Sequence, residues 1–373
     1  MKKYNALIMI GAVLLLAIIV GLSSNFRDRG ENTDIFDYAN FAQTRQPLNQ
    51  ITDSTPHGQI AVSYIKYIND NLYERFSKTV REMEAAAWIV DELLAIGYSW
   101  DNISVQEFKF EDISHVLDPY MLLNTGIFVF LDHSPFAHLG MRPALRSQNV
   151  ILTVPGQSEQ VIVVGAHYDS VFYPGASDNA SGVALLLESS QRLLNIDNYY
   201  TIEYVFFGAE EIGLIGAYYY VNSLTPAKHN NLLFMINADI LLDGEDLLYM
   251  AGYDANGRVG ANYITESWDY IAQEINAHYD LNLKPLPWGV FGPSDHLAFL
   301  PHGHTAMFLA GLEIDEMPDG DITYIIMDLA RVVHSPRDNI HYIMETWPGK
   351  AEENMRAFSI FLEEIILATY YLD

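Results

Sequence analysis

The stretch VIVVGAHYDSVFYPGASDNASGVALLLE, Val161 to Glu188, decides how the rest of the chain is read. It opens as an apolar, β-branched run of the kind that fills the middle of a parallel sheet. It then passes into His167 and Asp169, and Asp178 follows in a Gly/Ser/Asn setting. Imidazole and carboxylate groups are costly to bury without partners, so a core strand ending this way needs a reason.

Outward from this stretch the pattern alternates. Asn149 to Val154, Val161 to Val164, Ile202 to Phe207 and Leu232 to Ile236 read as strands. Ser181 to Leu194 and Ile212 to Ser223 read as helices between them. This βαβαβ order predicts an α/β fold with a mainly parallel central sheet flanked by helices on both faces. Upstream, Arg81 to Leu94 has helical spacing closed by Gly97, and Ile103 to Phe108 alternates as an edge strand would. Ala351 to Tyr371 reads as an amphipathic helix packing on the sheet.

Lys2 and Lys3 precede an apolar run, Ala6 to Leu22, that turns polar at Ser23. Residues 1–24 are therefore expected to be a signal peptide or an N-terminal membrane anchor, which places the remainder outside the cytoplasm. Residues 25–58 are expected to form a polar tether or arm, and 59–373 one domain. The irregular aromatic segment 119–145 has no readable period.

The formal charge of -28 excludes a nucleic-acid partner, which requires a basic face. With no cysteine, any metal must be held by His, Asp and Glu. Three predicted strands end in such groups: His167 and Asp169 after the first, Glu210 and Glu211 after the second, Asp239 after the third. Ligands bind beyond the carboxyl ends of parallel strands, so these groups are expected to meet there. Without a cation they would repel one another and carry strongly raised pKa values, so one divalent metal, or two, is expected. The donor types suit zinc. A pair of zinc ions about 3.5–4 Å apart uses a bridging carboxylate; His167, Asp178, Glu211 and Asp239 are candidates, with one further histidine needed late in the chain.

HYDS (167–170), GASDNASG (175–182), GAEEIGLIGA (208–217), NAD (237–239) and HSPRDN (334–339) together resemble the co-catalytic zinc aminopeptidases of peptidase family M28. The resemblance runs from about Ala85 to the C-terminus and implies the zinc-exopeptidase, phosphorylase/hydrolase-like architecture. It implies two zinc ions, bridged by Asp178, with His167 and Asp239 on one and Glu211 and His334 on the other. It further implies Glu210 as the general base and acid that moves the proton of a bridging water, and Asp169 as the carboxylate orienting His167. The implied substrates are peptides with a free N-terminus.

Some residues compete with these readings. His302 and His304 are ligands by type but are expected to be structural. Asp178 by itself reads equally as a helix cap, with Ser181 the better cap candidate. Asp243 is a rival to Asp239, and Asp295 and His296 are expected in a hydrogen-bonding loop near the site. Trp288 and Phe291 are candidates for lining a side-chain pocket. Two departures from the family stand out: Val333 occupies a place where many relatives carry tyrosine, and ERFSKTVRE (74–82) replaces an early glycine-rich turn. A single-zinc glutaminyl cyclase and an inactive binding or receptor module are the alternative readings.

Overall fold

The computed structural model describes residues 46–368 apart from 49, 53, 110–145, 245, 254–262, 286–293 and 313–331. The N-terminal apolar run, most of the tether, segment 119–145, Trp288 and Phe291 lie outside the described residues. Among the described residues no helix is long and apolar enough to cross a membrane.

In chain order the elements are α1 (Gln59–Asn71), α2 (Val80–Ile96), β1 (Ile103–Lys109), β2 (Arg146–Val154), β3 (Ser158–His167), α3 (Ser181–Leu193), β4 (Tyr200–Phe207), α4 (Ile215–Ser223), α5 (Pro226–Asn231), β5 (Leu232–Ala238), β6 (Asp246–Tyr253), α6 (Tyr263–Tyr279), β7 (Leu283–Pro285), β8 (Ala306–Leu312), α7 (Ile340–Thr346) and α8 (Lys350–Leu367). The strands form one sheet in the order β1-β2-β4-β3-β5-β8-β6-β7. Its centre, β4-β3-β5-β8, is parallel. Antiparallel pairs join β1 to β2, β2 to β4 and β6 to β8. The expected mainly parallel sheet is thus present at the core, with mixed flanks.

Alternation along each strand separates two cores. Ile162, Val164 and Ala166 of β3, with Ile202, Tyr204 and Phe206 of β4, face the cluster that also contains residues of α1, α2, α3, α6 and α8. Val163, Val205 and Phe207 face the other cluster, shared with α4 and the turn at Ala298–Phe299. Each such fully buried aliphatic or aromatic side chain contributes about 1.5–3 kcal/mol of hydrophobic stabilisation. The two-sided burial of β3 explains its unbroken apolar sequence.

Element ends differ from the sequence expectation by a few residues, and two differences matter. Strand β3 continues through His167, so this histidine is the last residue of the sheet rather than the first of a loop. Helix α4 begins at Ile215, not Ile212, because Leu214 is left-handed (φ 59°) and the Glu210–Gly213 segment is a turn. Helix α2 starts at the Thr79 cap, whose side chain accepts from Glu82 N, and stops at Gly97 as expected. Ser181 is not the cap of α3. Asn179 Oδ1 accepts from Gly182 N at 2.8 Å, while the Ser181 hydroxyl donates to Ser177 O.

Candidate metal centre

Strands β3, β4 and β5 run parallel, so their carboxyl ends arrive at one edge of the sheet. There His167, Asp178, Glu210, Glu211, Asp239 and His334 come together, with Asp169 immediately beneath. Asp239, rather than its rival Asp243, faces the cluster.

The arrangement has two halves that share Asp178. Its Oδ1 lies 3.1 Å from His167 Nε2, which also sits 3.3 Å from Asp239 Oδ1. Its Oδ2 lies 3.0 Å from His334 Nε2, which sits 3.1 Å from Glu211 Oε2. Within each half the donor atoms lie within 4.8 Å of one another, and His167, Glu210 and Glu211 form a third such group. Two like charges at about 4 Å repel by roughly 4 kcal/mol at the effective dielectric of a partly buried site. That exceeds the roughly 1 kcal/mol of an ordinary hydrogen bond, so the carboxylates are stable together only when positive charge is placed between them. The donor set, nitrogen and carboxylate oxygen without sulfur, fits zinc.

The electrostatics of the metal-free cluster say the same. Burial, Glu211, Asp295 and Asp239 raise Glu210 well above a usual carboxylate, against the opposing pull of His167. Burial, reinforced by Asp178, lifts Glu211 to about 7. Burial also raises Asp239. Burial works against charge on Asp178 too, yet hydrogen bonds from His167 and His334 outweigh it and hold its pKa low. Glu211, with Asp178, drives His334 up to about 12. Burial opposes protonation of His167, but Glu210, Asp239 and Asp169 raise its pKa well above 6.5. Protonated imidazoles therefore supply the positive charge here, on the ring nitrogens that a metal would use.

The supporting contacts define each side chain's aim. His167 Nδ1 donates to the Asp169 carbonyl (3.2 Å) and lies 3.5 Å from Asp169 Oδ1, which leaves Nε2 directed at the cluster. Asp169 is fully buried, and its oxygens accept from Glu210 N (3.0 Å) and Glu211 N (3.1 Å). One carboxylate thus sets both the imidazole of the first strand and the backbone of the Glu210–Glu211 turn. That turn leaves β4 through Ala209, a left-handed alanine (φ 58°), the sort of backbone conformation that surrounding contacts must hold in place.

Several residues that fix this geometry carried no assignment from sequence. Ser77 donates to Asp169 Oδ2. Ser294 donates to Asp239 Oδ2 at 2.7 Å and is itself held by Asn237 Nδ2 at 2.8 Å. Asp338 accepts from Ser177 N (2.6 Å) and Asp178 N (3.2 Å), clamping the turn that presents Asp178. Arg75, fully enclosed, donates to the Tyr168, Pro174 and Gly175 carbonyls and braces the same turn. Gly175 (φ 58°) is required there, since a Cβ would sit 2.3 Å from Asp178 O. Asp338 lies inside the quoted HSPRDN and Arg75 and Ser77 inside ERFSKTVRE, while Ser294 directly precedes Asp295. The hydrogen-bonding role expected of the loop at Asp295 and His296 belongs to Ser294; Asp295, with no exposure, has no hydrogen-bond partner on either oxygen among the described residues. Val333 is buried against Ile240, Leu248, Met250 and Phe308, which explains an aliphatic residue at this place.

A centre of this layout on this sheet belongs to the class of metal-dependent peptidase folds. The description of Peptidase family M28 matches residues 149–359, more than half of the chain, and the chain belongs to that family. It is similar to Aminopeptidase YwaD of Bacillus subtilis (strain 168), 31% identical over 188 residues, covering 49% of this chain and 37% of that protein. It is also similar to Aminopeptidase Y of Saccharomyces cerevisiae, 27% identical over 181 residues, covering 48% and 33%. The alignments thus span about a third of the length of these curated relatives. Among solved structures, BSAP, a zinc aminopeptidase from Bacillus subtilis, superposes with a TM-score of 0.63 at 17% identity, covering 85% of this chain and 96% of that one. A glutaminyl cyclase from an Acidobacteriales bacterium gives 0.56 at 18% identity, covering 86% and 99%. These likenesses establish the shared fold.

Proposed function

We propose that this protein is a zinc-dependent aminopeptidase that hydrolyses the first peptide bond of peptides with a free N-terminus, using two zinc ions per chain. The observation that carries the reading is the division of Asp178, one oxygen toward His167 and Asp239, the other toward His334 and Glu211. Membership of a peptidase family and the names of the curated relatives support the reaction class.

In this proposal His167, Asp178 and Asp239 hold one ion and Asp178, Glu211 and His334 the other. Bound zinc supplies the positive charge that polarises a peptide carbonyl and acidifies water. Glu210 adjoins both halves without being needed as a donor in either. Its carboxylate accepts a proton from the attacking water as the new C–O bond forms, then delivers that proton to the amine nitrogen as the C–N bond breaks. Burial keeps its pKa above the ordinary carboxylate range, which suits a group that must both take and return a proton near neutrality. Asp169 keeps the His167 ring and the Glu210 backbone in register, a positioning role.

The test is Glu210→Gln with an aminoacyl anilide substrate. Zinc content should stay at two per chain while kcat falls by about 10³-fold or more, beyond the 10²–10⁴ range's lower half for general acid–base groups. Retained turnover would remove the mechanism, and equal cleavage of N-blocked substrates would remove the aminopeptidase assignment.

The glutaminyl cyclase reading has one supporting observation, the fold likeness to two such enzymes. A single zinc per chain and formation of pyroglutamate from an N-terminal glutamine would favour it. The proposal also includes export, with residues 6–22 acting as signal or anchor; recovery of the full chain in the cytoplasm would contradict it.

A further inference from the structure

A second group of imidazoles lies at the opposite edge of the sheet. His229 sits on α5, directly before β5, and His302 and His304 flank Gly303 on the approach to β8. Because β5 and β8 pair in parallel, with Met235 N donating to Thr305 O, their amino-terminal ends are adjacent. The three histidines therefore meet, about 20 Å along β5 from the catalytic cluster at strand rise per residue.

His229 Nδ1 and His304 Nε2 face each other at 2.8 Å, with the rings tilted by 5° and centroids 5.1 Å apart. The His302 ring lies 5.2 Å from that of His229 and 6.4 Å from that of His304, within 20° of parallel to both. Gly303, left-handed at φ 81°, makes the bend that returns the chain between His302 and His304.

We propose that His229, His302 and His304 form a second metal site, distinct from the catalytic centre, for a divalent transition cation that favours imidazole, of the Zn2+, Ni2+ or Cu2+ kind. The facing nitrogens now share a hydrogen bond at 2.8 Å, shorter than the roughly 3.3 Å between two ligands of a tetrahedral ion with metal–nitrogen bonds of about 2.0–2.1 Å, so a bound ion would replace that hydrogen bond and part the two rings slightly. His302 completes the set by side-chain rotation: it is exposed, and among the described residues no hydrogen bond holds its ring. This rotation is required, since the donor groups already within 4.8 Å of one another are all at the catalytic centre among the described residues. Among the described residues no carboxylate is hydrogen-bonded to or ion-paired with the three rings. Burial, with His229 adding to it, lowers the pKa of His302 and brings that of His304 to about 4, so these rings are neutral and available as ligands at neutral pH. Three imidazoles without acid suit the late first-row divalent metals rather than Mg2+ or Ca2+. The bound ion would clamp the start of β5 to the start of β8.

The experiment uses the full chain, stripped with chelator and equilibrated with Zn2+ at pH 7.5, followed by metal analysis after dialysis. The wild type should retain one equivalent more than His229→Ala/His302→Ala, and that variant should gain less thermal stabilisation from added Zn2+. Introducing His334→Ala should lower metal content by the same amount in both backgrounds, as independent sites require. Equal metal content in the wild type and a correctly folded His229→Ala/His302→Ala, judged by circular dichroism, would overturn the proposal. A deficit that disappears when His334→Ala is also present would overturn it too, because the equivalent would then belong to the catalytic centre.

Discussion

The two histidines of the cluster make a useful contrast. His167 is the final residue of a central strand, 1% exposed, with Nδ1 tied to Asp169. His334 sits on a turn in the left-handed region (φ 57°), with half of its side chain exposed. Both aim Nε2 at Asp178, but among the described residues only the first has its Nδ1 tied to a neighbour. The difference teaches that the half built on the sheet is enclosed, whereas the half built with His334 is open to solvent.

Several outcomes would sharpen or break that contrast. The largest effect is expected for Asp178→Ala, which removes the carboxylate common to both halves: both metal equivalents should be lost, and hydrolysis of an aminoacyl anilide should fall by about 10³-fold or more. Retention of two tightly held ions would show that the halves do not share a ligand.

Asp169→Asn should keep the fold yet lower metal affinity or turnover by about 10–100-fold, as losing an orienting partner of a metal-ligating histidine does. A competition titration with a chelator measures it. An effect confined to the His334 side would contradict the assignment of Asp169 to His167.

His334→Ala should release one equivalent selectively and leave the other in place, read by elemental analysis after brief chelation. Loss of both together would mean that the open and enclosed halves are a single cooperative unit.

The smallest effect concerns protons. His334, raised to about 12, is protonated at neutral pH in the metal-free protein, and Glu211 near 7 is partly so. Both must be unprotonated to hold a cation, so binding releases protons and apparent affinity rises with pH, by about tenfold per pH unit for each proton displaced. Calorimetry in buffers of different ionisation enthalpy would detect the release; a pH-independent affinity would contradict it.

The core strands were legible because two-sided burial forces β3, β4 and β5 to be apolar throughout, and polar residues mark where they end. The meeting of His167, Glu210, Glu211 and Asp239 at one sheet edge was legible because parallel strands deliver their ends together; Asp178 and His334 lie away from strand ends, and their place beside that edge followed only from the resemblance to the family. Boundaries were less so. Ser181 has the composition of a cap, but its hydroxyl is engaged by Ser177 O and by Leu241 N, and Asn179 takes the role. The segment 74–82, which reads only as a departure from the family pattern, supplies Arg75, Ser77 and Glu82. Glu82 accepts from Lys78 N and is bonded by Ser147 Oγ beneath the same turn.

By itself the sequence determined which groups could hold a cation or move a proton, since those tasks admit few side chains and a buried sheet admits few places for them. Only the tertiary structure decided what holds those groups in aim. Ser77, Ser294 and Asp338 act across gaps of 92, 55 and 161 residues. A serine or aspartate at such a separation has no local signature, because its role exists only once folding has placed its hydrogen bond.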